Sequence, residues 1–395
     1  MRVSSYRKNI PLLYAVEWFS FFGITTFWVL FLSQKGMSLL EIGLLESIFH
    51  GTSLLSEIPS GMLADRFSYK ANLILGRLAA IVSSMLMLLA QGNFWLYALA
   101  MVVNAWAYNF DSGTSSAMLY DSAVDAGLKE RYLTFSSIIS GVTEATMSLG
   151  AVLAGFFVHG YLEVTYLMMI ACSLCAICLI ALLKEPDRKT YTEERVSFSS
   201  IVNTVLKEFK TNSALLWWFL IGQIVCATMC MFYFYYQNHL PDLSSWQIAF
   251  LMLVGSGLNI GAAYVASQVG KKWSSFQLFP WIVGLTGLLY TAVVANQVLV
   301  FMFIYLLSNA LYALYMPIIS NDIQQYLPNS IRATMLSINA MFFSLSMIVL
   351  FPLTGWCIER LGFTPTFLAL GSILVLSAFL LVFFLAGIQR KLTKN

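Results

Sequence analysis

Charged residues are scarce in this chain of 395 residues. They make up 10% of the sequence, whereas hydrophobic residues make up 59%. A soluble domain carries about 25% charged residues, which cover its surface in water. The shortage therefore excludes an ordinary soluble protein as well as a disordered one, and it indicates a polytopic membrane protein. The net charge of +3 is also too small for a nucleic-acid-binding surface, so we expect no nucleic-acid partner.

Histidine and cysteine are few as well, with three and six residues. Three of the cysteines fall within 172–178, an apolar stretch with no histidine nearby, so they lack the pattern of a metal site. The phosphate-binding pattern Gly-x-x-x-x-Gly-Lys-Ser/Thr is missing too. The sequence therefore predicts neither a metal nor another cofactor, and it argues against an enzyme and against an ATP-driven pump.

Long apolar runs are what the chain has in abundance. Each covers about 20 residues, which is enough to cross the ~30 Å hydrocarbon core of a bilayer. The predicted spans are 9–33, 38–63, 71–91, 94–122, 133–158, 163–183, 213–237, 244–269, 276–295, 298–326, 333–356 and 363–387. We therefore predict an all-α membrane protein with twelve transmembrane helices. It divides into an N-terminal six-helix half (1–183), a cytoplasmic linker with an amphipathic helix (184–212) and a C-terminal six-helix half (213–395).

Basic residues are distributed unevenly over the segments between the predicted spans. If both termini lie in the cytoplasm, 20 Lys and Arg residues fall on the inner side and 2 on the outer side. Such an imbalance is typical of membrane proteins, whose cytoplasmic loops carry an excess of positive charge. We therefore expect a multi-pass protein of the cell membrane with both termini in the cytoplasm.

Acidic residues interrupt the apolar runs of the first half. A charged side chain at the bilayer centre costs roughly 2.5–3.5 kcal/mol on insertion scales, so residues of this kind usually have a function. A carboxyl group that loses its hydration water binds a proton more readily, and histidine titrates near neutral pH. For any single acid, a hydrogen bond to a neighbouring helix is the structural alternative. The candidate proton-coupling residues are Glu17, Glu46, His50, Asp111 and Glu144.

Basic residues are absent from the middle of every predicted span, and Arg77, about two turns into the third span, comes nearest. A cavity for phosphate or organic anions would need such residues. Aromatic faces beside buried carboxylates instead suit lipophilic cations. Ordinary helix packing is the alternative for each aromatic residue. The candidate cavity residues are Tyr108, Tyr235, Asn309 and Tyr312.

The segment after the second predicted span reads GMLADRFSYK, from Gly61 to Lys70. It resembles the signature loop of the major facilitator superfamily, Gly-x-Leu-Ala-Asp-Arg-x-Gly-Arg-Lys. The preceding EIPSG, from Glu57, resembles bacterial twelve-helix proton-coupled drug-efflux members. The resemblance implies two six-helix halves that rock about a central substrate site.

The resemblance also implies a cytoplasmic gate. Gly61 would allow close approach to the eleventh span, and Asp65 would lie at the N-terminus of that helix. The basic groups would pair with acids near the inner end of the fourth span. The implied gate residues are Gly61, Asp65, Arg66, Lys70, Arg77 and Asp121.

Several positions depart from the family patterns. Ser68 and Tyr69 replace the second Gly and the second Arg of the signature loop, and Asn109 stands where family members often carry an Arg in the fourth span. The fifth span keeps Gly141 and Gly150 of the antiporter pattern, although its Gly-Pro is replaced by Ala-Gly. The partial match favours export.

Together these features predict a secondary active transporter that exports hydrophobic or cationic small molecules by H⁺ antiport and alternating access. A proton symporter for a neutral metabolite and a lipid flippase are the alternatives. A flippase would need basic residues for a headgroup phosphate, which the middle of the spans lacks. The expected partners are the small-molecule substrate, protons and membrane lipid, and we expect a monomer.

Overall fold

The structure is a computed structural model that describes residues 6–66, 68–111, 113–186, 210, 213–326 and 332–392, and of these it describes the backbone alone for 58–66, 215, 324, 326, 332–334 and 390–392. The regular structure of these residues is helical throughout. The predicted linker and its amphipathic helix fall almost entirely outside the described residues.

The helices lie close to the predicted spans. They are α1 (Asn9–Ser20), α2 (Trp28–Gln34), α3 (Leu39–Arg66), α4 (Tyr69–Leu89), α5 (Phe94–Asp111), α6 (Thr114–Asp125), α7 (Tyr132–Ala154), α8 (Leu162–Leu182), α9 (Ser213–Tyr235), α10 (Ser245–Val269), α11 (Ser275–Thr291), α12 (Val298–Tyr326), α13 (Arg332–Leu361) and α14 (Phe363–Leu392). Short 3₁₀ turns cover Lys129–Arg131, Gly155–Phe157, Tyr236–Asp242 and Ala292–Ala295. Within the described residues, 9 helical segments are long and apolar enough to cross a membrane. The prediction of an all-helical, multi-pass membrane protein is confirmed.

Two predicted spans differ from expectation, because each is broken into two helices. The span 9–33 stops at the end of α1 and resumes with α2, and the span 94–122 is divided between α5 and α6. At the second break Gly113 has φ +79°, a left-handed conformation that glycine adopts most easily. The first break keeps a largely apolar composition, so hydropathy could not reveal it, whereas the second falls in the polar stretch 111–116.

The first break packs against α7. A Cβ atom on Gly23 would lie 2.6 Å from the carbonyl oxygen of Met147, and one on Gly150 would lie 2.6 Å from the carbonyl carbon of Gly23. These contacts are backbone against backbone, so neither position has room for a side chain. Gly150 of the antiporter pattern has no side chain, and it therefore allows the break between α1 and α2 to pack directly against α7.

The chain divides into two compact units. The first comprises Met1–Met37, Leu44–Tyr191 and Asn238–Leu253, and the second comprises Ser38–Gly43, Thr192–Gln237 and Val254–Asn395. The first unit has an aliphatic core that includes Leu13, Leu73 and Met118. Its polar residues are described with the site below.

The second unit is held together by aromatic packing. Phe232 stacks on Tyr236 with ring centroids 5.5 Å apart, and it meets Phe367 edge-on at 4.9 Å. The helices α11 and α14 cross at Gly287 and Gly371, where a Cβ on Gly287 would lie 2.8 Å from the carbonyl oxygen of Gly371. Small residues at a crossing allow membrane helices to approach closely.

Candidate functional site

Charged side chains lie together inside the first unit, where α1 and α5 end. Arg77 on α4 forms an ion pair with Asp111, the last residue of α5. Ser115 on α6 donates its hydroxyl hydrogen to Glu17 on α1, and Arg77 also attracts Glu17. All four side chains are buried, with exposed fractions between 4% and 9%. We call Glu17, Arg77, Asp111 and Ser115 the charge cluster.

The end of α1 helps to hold a cation at this place. The last carbonyl groups of a helix have no partner within the helix and carry a partial negative charge. Nη1 of Arg77 donates a hydrogen bond of 2.9 Å to the carbonyl oxygen of Ser20, the last residue of α1. The guanidinium group therefore binds a carbonyl and a carboxylate together, which offsets part of the cost of removing it from water.

Close packing between α4 and α5 fixes the ion pair. A Cβ atom on Gly76 would lie 3.3 Å from Oδ1 of Asp111 and 3.3 Å from the carbonyl oxygen of Ala107. A larger residue at position 76 would press on α5 at the position of Asp111. The glycine beside Arg77 was a signal of this approach that the sequence reasoning missed.

The structure places Arg77 differently from the sequence prediction. The sequence predicts Arg77 as a cytoplasmic gate residue and a partner of Asp121, and it predicts no basic residue in the middle of the spans that carry the acids. Its ion pair is instead with Asp111, while Asp121 accepts a hydrogen bond of 2.8 Å from the hydroxyl group of Tyr69. The position of Arg77 along its own helix does not show which residues of other helices its long side chain contacts.

Glu46 and His50 face each other one turn apart on α3. Oε1 of Glu46 lies 3.4 Å from Nε2 of His50, and both side chains are largely buried. The imidazole ring also meets the ring of Phe49 edge-on at 5.4 Å. A carboxyl group and an imidazole at this distance can share a proton.

Asn109, which replaces the expected Arg of the fourth span, joins α5 to α3. Its Nδ2 donates to the carbonyl oxygen of Ser53 at 2.8 Å and to the hydroxyl of Ser56 at 2.7 Å. This amide therefore makes neutral hydrogen bonds where family members often place a charge. The buried cation of the first unit comes from α4 instead.

Glu144 is exposed on α7, next in sequence to Thr143, whose side chain hydrogen-bonds Glu17. The cysteines are free thiols. Among the described residues, no three His, Cys, Asp or Glu side chains come close enough to hold a metal ion.

The gate motif is described only in part. The backbone of α3 continues as a helix through Gly61 and Asp65 to Arg66, whose side chains lie outside the described residues. Lys70 donates from Nζ to the carbonyl oxygen of Ala181 at 2.9 Å rather than to Asp121. Tyr69, at the position where the motif has its second Arg, supplies the contact to Asp121.

A glutamate caps the start of α4. This residue is Glu185, and its carboxylate oxygens accept hydrogen bonds from the backbone N–H groups of Tyr69 at 2.7 Å and Lys70 at 3.2 Å. A carboxylate is favoured there because the first N–H groups of a helix are unpaired and carry partial positive charge.

The predicted cavity residues have different surroundings. Tyr108 is 57% exposed and meets Phe49 edge-on, whereas Tyr235 is 1% exposed and donates its hydroxyl hydrogen to the carbonyl oxygen of Phe351 at 2.6 Å. Tyr235 is therefore a packing residue in this structure. Two further candidates lie on α12. Asn309 donates to the carbonyl oxygen of Tyr305 at 2.8 Å, and Tyr312 is half-buried.

Comparison with solved structures supports the fold. The nucleoside transporter NupG superposes with a TM-score of 0.73 at 14% identity, over 98% of this chain and 99% of that one. A POT family transporter in complex with a thioalcohol-conjugated peptide gives 0.71 at 14% identity, over 96% of both chains. The xylose transporter XylE from E. coli gives 0.66 at 12% identity, over 94% of both chains.

Comparison by sequence gives the family. No curated protein matches the chain. Residues 12–294 match the profile of the Major Facilitator Superfamily, which is more than half of the sequence. The chain therefore belongs to the Major Facilitator Superfamily, and it is a multi-pass membrane transporter rather than an enzyme.

Proposed function

We propose that this protein is a proton-coupled secondary transporter that exports hydrophobic or cationic small molecules in exchange for protons. It would work as a monomer in the cell membrane, with twelve spans and cytoplasmic termini. The observation that carries the proposal is the charge cluster in the first unit.

The charge cluster has more acidic groups than basic groups. The guanidinium group of Arg77 forms an ion pair with Asp111 and attracts Glu17, so the fully ionised cluster of two carboxylates and one cation has a net charge of −1. An uncompensated charge is costly where water is excluded. One proton neutralises the cluster, and its loss restores the charge. A site with these two states is what proton coupling requires.

Both helix breaks adjoin the cluster. Ser20 ends α1 and holds Arg77, while Asp111 ends α5 and pairs with Arg77. Transporters commonly build their coupling sites from discontinuous helices, whose ends present unpaired backbone groups. A small change at either break would alter the pairing of Arg77. The two breaks therefore connect the protonation state to helix movement.

The charge balance also favours a cationic substrate. A cation and a proton can each compensate the excess negative charge, so binding one would promote release of the other. A second candidate is proton symport of a neutral metabolite, since a solved structure with this fold is that of a D-xylose-proton symporter. The direction of proton movement distinguishes the two.

The test replaces Glu17 by Gln, which mimics the protonated carboxyl group. Inside-out vesicles with an acidic interior are given a panel of lipophilic cations, including tetraphenylphosphonium, and then neutral solutes. We expect Glu17→Gln to lose accumulation driven by the pH gradient while it keeps exchange of labelled for unlabelled substrate. Exchange needs no net proton movement.

Glu163→Gln is the matched control. Glu163 pairs with Lys35 in a half-exposed position at the start of α8. This variant should accumulate substrate as the wild type does. Wild-type accumulation by Glu17→Gln would overturn the coupling role, and failure of every compound with the folded wild type would overturn export.

A further inference from the structure

A half-open cavity of about 210 Å³ is lined by residues of the first unit. One water molecule takes ~30 Å³ in the liquid, so the cavity has room for about seven. Trp28, Phe49 and three methionines form much of its apolar wall. Its hydrogen-bonding lining includes Thr25, Glu46, Ser83, Ser84 and Asn104.

The lining indicates that the cavity holds water. A buried water molecule needs two to four polar partners, and one carboxylate, three hydroxyls and an amide supply them. Tyr166 also lines the cavity.

The cavity lies next to the charge cluster. Ala80 on its wall follows Arg77 by three residues on α4, which corresponds to ~4.5 Å along the helix axis. Asn104 lies on α5, the helix that ends at Asp111. Thr25 belongs to the break that follows Ser20, whose carbonyl oxygen binds Arg77. The cavity therefore takes lining residues from α4, from α5 and from the break after α1, the parts of the chain that also hold Arg77 and its partners.

We propose that this cavity is a water-filled chamber through which protons from the outer side reach the charge cluster. The proposal rests on the proposed function, because the topology proposed there puts the Tyr69 end of α4 in the cytoplasm. The cavity lies on the opposite side of Arg77, toward Leu89.

Glu46 is the first acceptor in this route. A hydronium ion gives its proton to the carboxylate of Glu46 and leaves a water molecule behind. A second water then carries the proton to the carboxylate of Glu17 or Asp111, and the cluster changes from a net charge of −1 to 0. His50 faces Glu46 from the same helix at 3.4 Å and can share the proton.

Other titratable groups around Glu46 come from neighbouring helices. Tyr166 of α8 lines the same cavity, and Tyr108 of α5 meets Phe49 on its wall.

The first test measures hydration without any transport. The Ser84→Cys variant is treated with a small methanethiosulfonate reagent. The reaction rate of the wild type, which comes from its native thiols, is subtracted from the rate of the variant. Val82→Cys on the same helix is the control, because Val82 is 46% exposed on the apolar surface. Only a thiolate reacts, and it forms only where water reaches it. We expect Ser84→Cys to react at least about tenfold faster, and equal rates would overturn the proposal.

The second test fills the chamber. Ser84→Leu should lower transport driven by the pH gradient about tenfold, as expected for loss of a proton relay, and leave exchange of tetraphenylphosphonium unchanged. Ser372→Leu makes the same change at an exposed serine of α14 and should behave as the wild type. Wild-type transport by Ser84→Leu, or an equal loss in Ser372→Leu, would overturn the proposal. If Ser84→Leu does not fold, Ala80→Val fills the same wall and is judged in the same way.

The two proposals fail in different ways. If Glu17→Gln keeps transport driven by the pH gradient, the proposed function fails. If Glu17→Gln loses it while the filled variants keep it, only the chamber fails.

Discussion

Arg77 is the only Lys or Arg among the buried side chains that the structure describes. It binds Asp111, attracts Glu17 and closes the end of α1 at Ser20. A buried ion pair adds little stability compared with apolar packing, yet removal of one partner is costly because the other charge stays behind. In the proposed function its role is to hold a buried cation beside two carboxyl groups, Asp111 as its ion-pair partner and Glu17, which it attracts.

Asp111→Asn should destabilise the folded protein by roughly 3–5 kcal/mol, because Arg77 loses its ion-pair partner while it remains buried. The double variant Arg77→Leu with Asp111→Leu removes both charges and should recover most of this loss. Thermal unfolding in detergent, followed by size-exclusion chromatography, measures the effect. An unchanged melting temperature for Asp111→Asn alone would show that the ion pair does not form.

At the scale of the helix, the sequence predicted most elements but not their breaks. Apolar runs marked the positions of the helices within a few residues, because length and hydropathy decide what crosses a bilayer. The breaks at Gly23 and Gly113 depend on contacts from other helices and on one backbone conformation, which hydropathy does not record.

For the candidate site, the sequence likewise predicted the polar residues but not their partners. The sequence shows Glu17 and Asp111 as acids inside apolar runs, whereas the ion pair between Asp111 and Arg77 depends on the packing of α4 on α5. Tyr69 looked like a loss of the motif's Arg, although its hydroxyl group reaches Asp121. Spacing along the chain locates polar residues on a helix and leaves their partners open.

The glycines of α7 give a matched pair for the first break. Gly150→Ala places a methyl group against the backbone of Gly23, so we expect a loss of about 1–3 kcal/mol of stability from overpacking. Gly141→Ala meets open space within the described residues, so the better helix propensity of alanine should stabilise by about 0.5–1 kcal/mol. Melting temperatures of the two variants in the same detergent measure the difference. The same sign for both would contradict the packing at the break.

At the scale of the whole molecule, the distribution of Lys and Arg over the loops predicts the orientation in the membrane. A fluorescent protein fused to the C-terminus should fluoresce in bacteria, and alkaline phosphatase at the same place should stay inactive. The same reporters inserted in the turn near Gly92, between α4 and α5, should give the opposite pattern. Active phosphatase at the C-terminus would contradict cytoplasmic termini.

The proposed function joins these scales, because one titrating cluster at two helix breaks would drive the movement of the transporter. The most direct measurement follows protons leaving the acidic lumen of inside-out vesicles when tetraphenylphosphonium is added, reported by a quenched pH dye. We expect fluorescence recovery with the wild type and with Glu163→Gln, and none with Glu17→Gln. Equal recovery with Glu17→Gln would contradict proton coupling through the charge cluster.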